Sequence, residues 1–305
     1  MSPKDPIIRA DDAMTAEEIT GDASPHTSTD DSHVMQAPRN AFTELMSGPK
    51  AKLKATAENT NKGKPPPPSH ASSKRFLDPR DGLLVYIEQP ETNPEGRVVE
   101  YDDDFVVIRD KFPKASVHLL LLPRDPTFYD QHPLEALSSD PDFLEKVKIR
   151  IERLKTLAAN ELRRQYGQHS AADAPYQSAL EDLMSSPDPP PPEKRDEELP
   201  PGRDWRREII AGVHTHPSMN HLHVHVLSRE MASPWFKTKK HYLSFQTSFL
   251  VSMDQFPLEE GSTRFHPGNW PSWDLVCWRC GRNFRNKFKA LQEHLGEEVR
   301  EWKIE

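Results

Sequence analysis

Between residues 97 and 122 the chain runs in short apolar blocks bounded by turn residues, which predicts β-strands at 97–101, 105–109 and 116–122. The third block is almost continuously apolar, so it belongs in the middle of a sheet. Asp102, Asp103 and Asp104 supply the turn between the first two. From 141 to 166 the period changes. Phe143, Val147, Ile151, Leu154, Leu157, Ala158 and Leu162 recur at helical spacing and predict one long amphipathic helix. A shorter helix is expected at 81–89, closed by Pro90. Strands resume at 207–213, within 214–227 and at about 242–251. This order, with antiparallel hairpins, is an α+β fold whose sheet is mainly antiparallel.

Outside these blocks the pattern fades. Residues 1–73 are rich in Ser, Thr, Asp, Pro and Lys and predict a disordered tail, and 168–204, with prolines at 189–192, predicts a disordered insertion. The expected organisation is therefore a tail at 1–73, a main folded domain at 74–262 interrupted by the insertion, and a small C-terminal domain at 263–305. One island in the tail, Phe42, Leu45 and Met46, has the i, i+3, i+4 spacing of a helical turn that a protein partner could bind.

Composition adds two points. The net charge of −8 argues against nucleic acid until its location is read. Residues 1–40 hold three basic and eight acidic residues, 168–200 hold two and eight, and the remainder is net +3. No apolar run suggests a signal peptide or a membrane span. The two cysteines, with two residues between them, suggest a metal site in a reducing compartment rather than a disulfide framework.

The run from His214 to Leu227 holds five of the fourteen histidines. In a strand, His221, His223 and His225 leave on one face while Leu222, Val224 and Val226 leave on the other. Two chemistries suit aligned imidazoles: a metal cage, or a nucleophile flanked by helpers. A cage lacks a nearby carboxylate, since Glu230 lies past the strand. The nucleophile reading has one imidazole attack phosphorus while its neighbours fix its tautomer and bond the phosphate oxygens. Gly212, His214, Pro217 and Ser218 form a tight loop whose amides and hydroxyl suit the same phosphate.

Near the C-terminus, Cys277-x2-Cys280-x3-Phe284-x6-Leu291-x2-His294 follows a zinc-finger layout, with Phe284 and Leu291 as its small core. No second histidine follows. Glu298 stands one helical turn beyond His294 and is the expected fourth ligand, with Glu297 as the alternative. Arg279, Arg282, Arg285, Lys287 and Lys289 make a cationic patch suited to a phosphate backbone.

His221-Leu-His223-Val-His225-Val-Leu227 resembles the histidine-triad (HIT) signature of nucleotide hydrolases and transferases. The segments 105–124, 217–221 and 233–245, together with the finger, resemble the aprataxin family. The finger's two cysteines, one histidine and one glutamate are similar to those of fungal members. The resemblance implies a DNA-repair hydrolase that removes AMP from 5′-adenylated DNA ends left by failed ligation. In it His223 would carry AMP covalently, His221 and His225 would orient it, and His214 would stabilise charge across the scissile linkage. Lys114 and His118 would hold the nucleotide side. Arg124, Ser218, Met219, Ser233, Lys237 and Lys240 would bind nucleotide or DNA, with Phe76 as a candidate base-stacking wedge. The implied ligands are structural Zn2+ and AMP as product, with no catalytic metal. The implied partners are DNA nicks and adenylated ends, without a membrane, in the nucleus. The rival readings are a hydrolase of diadenosine polyphosphates or adenosine phosphoramidates, and a non-catalytic zinc-finger DNA-binding protein.

Overall fold

The computed structural model describes residues 78–305; the tail, its Phe42–Leu45–Met46 island and Phe76 lie outside the described residues. A six-stranded sheet organises the chain: β1 (Val98–Tyr101), β2 (Phe105–Arg109), β3 (His118–Pro123), β4 (Ile209–His214), β5 (Val224–Ser228) and β6 (Leu250–Ser252), in the order β1-β2-β3-β5-β4-β6 with every neighbouring pair antiparallel. The apolar third block is central, as its composition predicts, and all six of its residues are buried. Asp102 makes the first hairpin by accepting from the amides of Asp104 and Phe105 at 3.0 and 2.8 Å.

Alternation assigns the two faces. Leu119, Leu121, Ala211, Val213, Val224 and Val226 join one core with α3 (Pro133–Ser139) and α4 (Pro141–Tyr166), and Phe128 of α2 (Pro126–Tyr129) packs against it. His118, His214 and His225 therefore emerge on the opposite face. That face is covered by α1 (Leu84–Glu88) at one end and by α7 (Lys239–Gln246) at the other. The long helix starts where expected because Asp140 accepts from the Phe143 amide at 2.8 Å and Pro141 takes the first turn. Leu157, expected on its inner face, is 40 % exposed. Among the described residues, no helix is long and apolar enough to cross a membrane.

Three expectations are corrected. The histidine run is extended only from Val224; His221 to His223 lie in irregular backbone, yet the inside–outside alternation persists through Leu222. Residues 242–246 are not strand but part of α7, which Thr238 and His241 open with a reciprocal capping box. The insertion is not structureless: it contains α5 (Ala174–Met184) and α6 (Pro192–Glu198). Its ends are tied down by buried Asp173, which accepts from the Arg203 amide and the Trp205 indole at 2.7 and 2.5 Å.

The insertion also reaches α8 (Phe288–Ile304), the helix of the finger. Ala171 and Ala172 donate to the carbonyls of Ile304 and Glu305 at 2.9 and 2.7 Å, and Arg203 donates to that of Trp302. These groups satisfy carbonyls that a helix end leaves unpaired. Val299 and Trp302 are buried in the core beneath the sheet, so finger and sheet share apolar packing.

Gly212 is required where β4 meets β6. An added Cβ would stand 2.5 Å from the Val251 carbonyl oxygen and 3.0 Å from the Leu250 side chain. Gly212→Ala is expected to destabilise the fold by about 1–3 kcal/mol, because the two strands must part. Denaturant unfolding checks this, and unchanged stability would show that the strands separate without cost.

Candidate active site and zinc site

Strand pairing sets the imidazoles in place. His225 lies between Leu120 of β3 and Gly212 of β4 in register, His118 opens β3, and His214 closes β4. The ring of His225 lies 4.5 Å from that of His214, 4.9 Å from His223 and 5.2 Å from His118. Phe245 of α7 packs its ring against His118, His214 and His225 at 4.7–5.4 Å, closing the apolar side of the cluster.

Hydrogen bonds decide the tautomers, because a backbone amide can only donate and a carbonyl can only accept. The Lys114 amide donates to His118 Nδ1 at 3.2 Å, so the His118 proton sits on Nε2. That Nε2 lies 3.0 Å from His225 Nδ1 and donates to it. The His225 proton is thereby placed on Nε2, which is buried and has no hydrogen-bond partner among the described residues. Independently, His223 Nδ1 donates to the His221 carbonyl at 2.8 Å, leaving the lone pair of His223 on Nε2. A buried N–H and a neighbouring lone pair result, the complement that an attacked phosphate requires. His214 Nε2 is a further buried nitrogen without a hydrogen-bond partner among the described residues.

The cluster is uncharged near neutral pH. Burial pushes His118 down to about 4, against the opposing charge of Asp110. Burial first, and the neighbouring imidazoles second, hold His214 and His225 well below their ordinary value. His223 is lowered by burial, and its bond to the His221 carbonyl counters this in part. Lys114 is 3 % exposed, donates to the Phe112 carbonyl at 2.8 Å, and is pushed by burial down to about 8.

His221 faces elsewhere. Its Nδ1 lies 3.2 Å from Asp130, its Nε2 3.9 Å from Asp81, and its ring meets Tyr129 edge-on. The turn before it is pinned by Arg80, which donates to the Ser218 carbonyl at 3.1 Å and accepts from the Asn220 amide at 3.0 Å. Met219 packs beside α1. Ser233 donates to the Pro113 carbonyl, holding the loop of Lys237, which leads into Lys240 of α7, against the one that carries Lys114. Lys237 lies over the Trp235 ring at 4.6 Å, and Trp235 meets Phe112 edge-on.

Arg124 is not part of this pocket. It sits beyond the far end of β3, about 20 Å along the strand from His118, and donates to the carbonyls of Ile87 and Asp102. These two bonds brace the end of β3 against α1 and the first hairpin. Asp110, Asp81, Asp130 and Phe245 are site neighbours that the sequence pattern did not single out. No spacing marks them, because loops and a helix bring them in from separate segments.

In the finger, Cys277, Cys280, His294 and Glu298 each offer one ligand atom, all within 4.8 Å of one another. Two thiolates, an imidazole and a carboxylate are a donor set that fits tetrahedral zinc. Asp110, His118 and His225 form a second such group among the described residues, but its His118 Nε2 carries the proton shared with His225. Arg282, Arg285, Lys287 and Lys289 are exposed, and Lys239 joins this face to α7 through Asn286 at 2.7 Å. Arg279, expected among them, instead binds Glu298, Glu301 and Glu305. The cationic patch is one residue smaller than its sequence suggests.

Known proteins carry both features. The HIT domain family matches residues 91–232, and the family described as C2HE / C2H2 / C2HC zinc-binding finger matches residues 246–301. An aprataxin-like protein of Schizosaccharomyces pombe is 34 % identical over 224 residues, covering 73 % of this chain and 82 % of that one. One of Saccharomyces cerevisiae is 32 % identical over 223 residues, covering 71 % and 94 %. The chain belongs to the aprataxin family. Membership carries the coarse assignment of a HIT-domain nucleotide hydrolase with an appended zinc finger. A crystal structure of the aprataxin ortholog Hnt3 in complex with DNA is 35 % identical, covers 73 % of this chain and 96 % of its own, and superposes with a TM-score of 0.57. Hnt3 in complex with DNA and guanosine is 34 % identical, with a TM-score of 0.54.

The imidazole cluster makes folding depend on pH. His118 binds a proton near its ordinary value of 6.5 in the unfolded chain but only at about 4 in the folded one. Between those values the unfolded state holds more protons, so stability rises with pH. Stability is expected to be full above about pH 6.5 and to fall as pH drops toward 4. This one residue contributes up to about 1.4 kcal/mol per pH unit. Urea midpoints of wild type and His118→Asn across that range check this; equal slopes would refute it.

Proposed function

We propose that this aprataxin-family chain removes AMP from 5′-adenylated DNA ends left by abortive ligation, through a covalent adenylate on His223. The observation that carries the reading is the tautomer order. His223 has its Nδ1 committed to the His221 carbonyl and its Nε2 lone pair available, beside the partnerless Nε2–H of His225. His223 Nε2 bonds to the AMP phosphorus as the bridging P–O bond to the DNA phosphate breaks, and the leaving oxygen takes that electron pair. His225 Nε2–H donates to the phosphate oxygens, and His214 stabilises charge across the scissile linkage. Water then attacks phosphorus, the P–N bond breaks, and AMP leaves. A DNA 5′-phosphate is a good leaving group, so no strong acid is needed, which suits imidazoles that burial keeps neutral. No catalytic metal enters this scheme.

Lys114 and His118 hold the nucleotide side, with Ser218 and Met219 at its edge. DNA is held along Ser233, Lys237 and Lys240 and across the exposed Arg282, Arg285, Lys287 and Lys289 of the finger. The finger is built on a structural Zn2+ held by Cys277, Cys280, His294 and Glu298. The DNA complexes of Hnt3 support DNA as the partner. A DNA substrate implies work in the nucleus.

His223→Ala is expected to lower AMP release from 5′-adenylated nicked DNA on the order of 10³-fold or more while binding of the DNA end persists. Retained turnover removes the mechanism. Wild-type kcat/KM is expected to favour that DNA over a diadenosine polyphosphate; the reverse preference would support a small-nucleotide hydrolase. Cys277→Ala should weaken turnover of adenylated DNA more than that of a small adenylate. Equal losses would confine the finger to a folding role.

A further inference from the structure

The guanidinium of Arg279, which stands between the two finger cysteines, turns away from solvent and back along α8. Nη1 donates to Glu298 Oε2 at 2.8 Å and to Glu301 Oε2 at 3.1 Å, and Nη2 donates to Glu305. The other oxygen of Glu298, Oε1, lies 3.1 Å from His294 Nε2, inside the group of ligand atoms, where Cys280 Sγ is also 3.1 Å from that nitrogen. The two oxygens of Glu298 are thus divided, one toward the metal position and one held by Arg279.

Charge counting gives the division a reason. Two thiolates and two imidazoles exactly balance a zinc dication, whereas two thiolates, one imidazole and one carboxylate leave one negative charge in excess. The family description covers fingers of the C2HE, C2H2 and C2HC kinds, so the charge of the ligand set varies within the family. Cys277 is 2 % exposed and Glu298 9 %, and an uncompensated charge there is costly. Of the three carboxylates on Arg279, the Glu298 side chain is 11 % exposed, against 69 % for Glu301 and 54 % for Glu305. The latter two bind through solvent-screened oxygens, and the shielded contact is the one to the ligand.

We propose that Arg279 is the charge partner that allows a carboxylate to serve as the fourth zinc ligand, restoring neutrality and presenting Oε1 alone to the ion. It is a positioning residue, and it is needed only because position 298 is a glutamate. This rests on the zinc site assigned above and is independent of the deadenylation chemistry.

The test is a double-mutant cycle on the full chain, reading zinc affinity by competition with a chromophoric chelator while the melting of zinc-saturated protein is followed. Arg279→Ala is expected to weaken zinc binding about 10- to 100-fold, the usual effect of losing a group that orients a ligand. Arg279→Lys, which keeps the charge, should recover most of that loss. Glu298→His supplies an ordinary His-x3-His pair, and in that background Arg279→Ala should change affinity by less than about threefold. Equal losses in both backgrounds, including failure to fold in both, would make Arg279 a general brace and overturn the proposal. So would a lysine variant as weak as the alanine one, or a Glu298→His chain that cannot bind zinc.

Discussion

The site depends on one amide that can only give a proton. The Lys114 N–H fixes the tautomer of His118, His118 fixes that of His225, and the result is a buried N–H on a ring 4.9 Å from that of His223, which keeps its lone pair on Nε2. None of this works without the pairing of β3 with β5, which sets His118 against Leu227 and so brings the two imidazoles within 3.0 Å. Low polarity does the rest. A cluster of imidazoles among Phe245, Leu120 and Leu227 cannot hold several positive charges, so its members stay neutral and their proton positions follow from hydrogen bonds.

The second organising constraint is shared packing. Leu291 and Leu295 of the finger lie in one core with Leu227, Phe245 and Trp270, and Val299 and Trp302 lie in the other with the sheet and α4. Trp302 and Trp205 meet edge-on around Tyr166, and Arg203 stacks on both indoles. The finger is therefore braced against the domain that carries the imidazoles, and its exposed cations keep a fixed bearing relative to them.

Much of this was legible in the sequence wherever one side chain in two, or one in three or four, had to be apolar. The strands around 105–122, the long helix and the two-faced histidine run follow from that rule. It failed at α7, where His241 to Phe245 are all buried and no exposed side exists to reveal a period. Composition misled at the insertion: its prolines and acids resemble those of an unstructured linker, but Asp173, Arg203 and Trp205 anchor it through contacts about thirty residues apart or more. Charge misled at Arg279, because a basic residue in a sequence does not announce whether it faces solvent or a neighbouring oxygen. The grouping of Cys277, Cys280, His294 and Glu298 was readable from spacing; the partner of Glu298 was not.

Burial of Trp302 beneath the sheet bears on how the molecule comes into being. The core that supports β3 and β5 needs an indole encoded about 180 residues after His118. A ribosome-bound chain lacking that segment has its histidine-bearing strands but not the packing that completes them. Maturation of the hydrolase must then wait for α8, and pairing over so long a sequence separation slows assembly. Trimming the C-terminus would injure the histidine cluster without touching any residue in it.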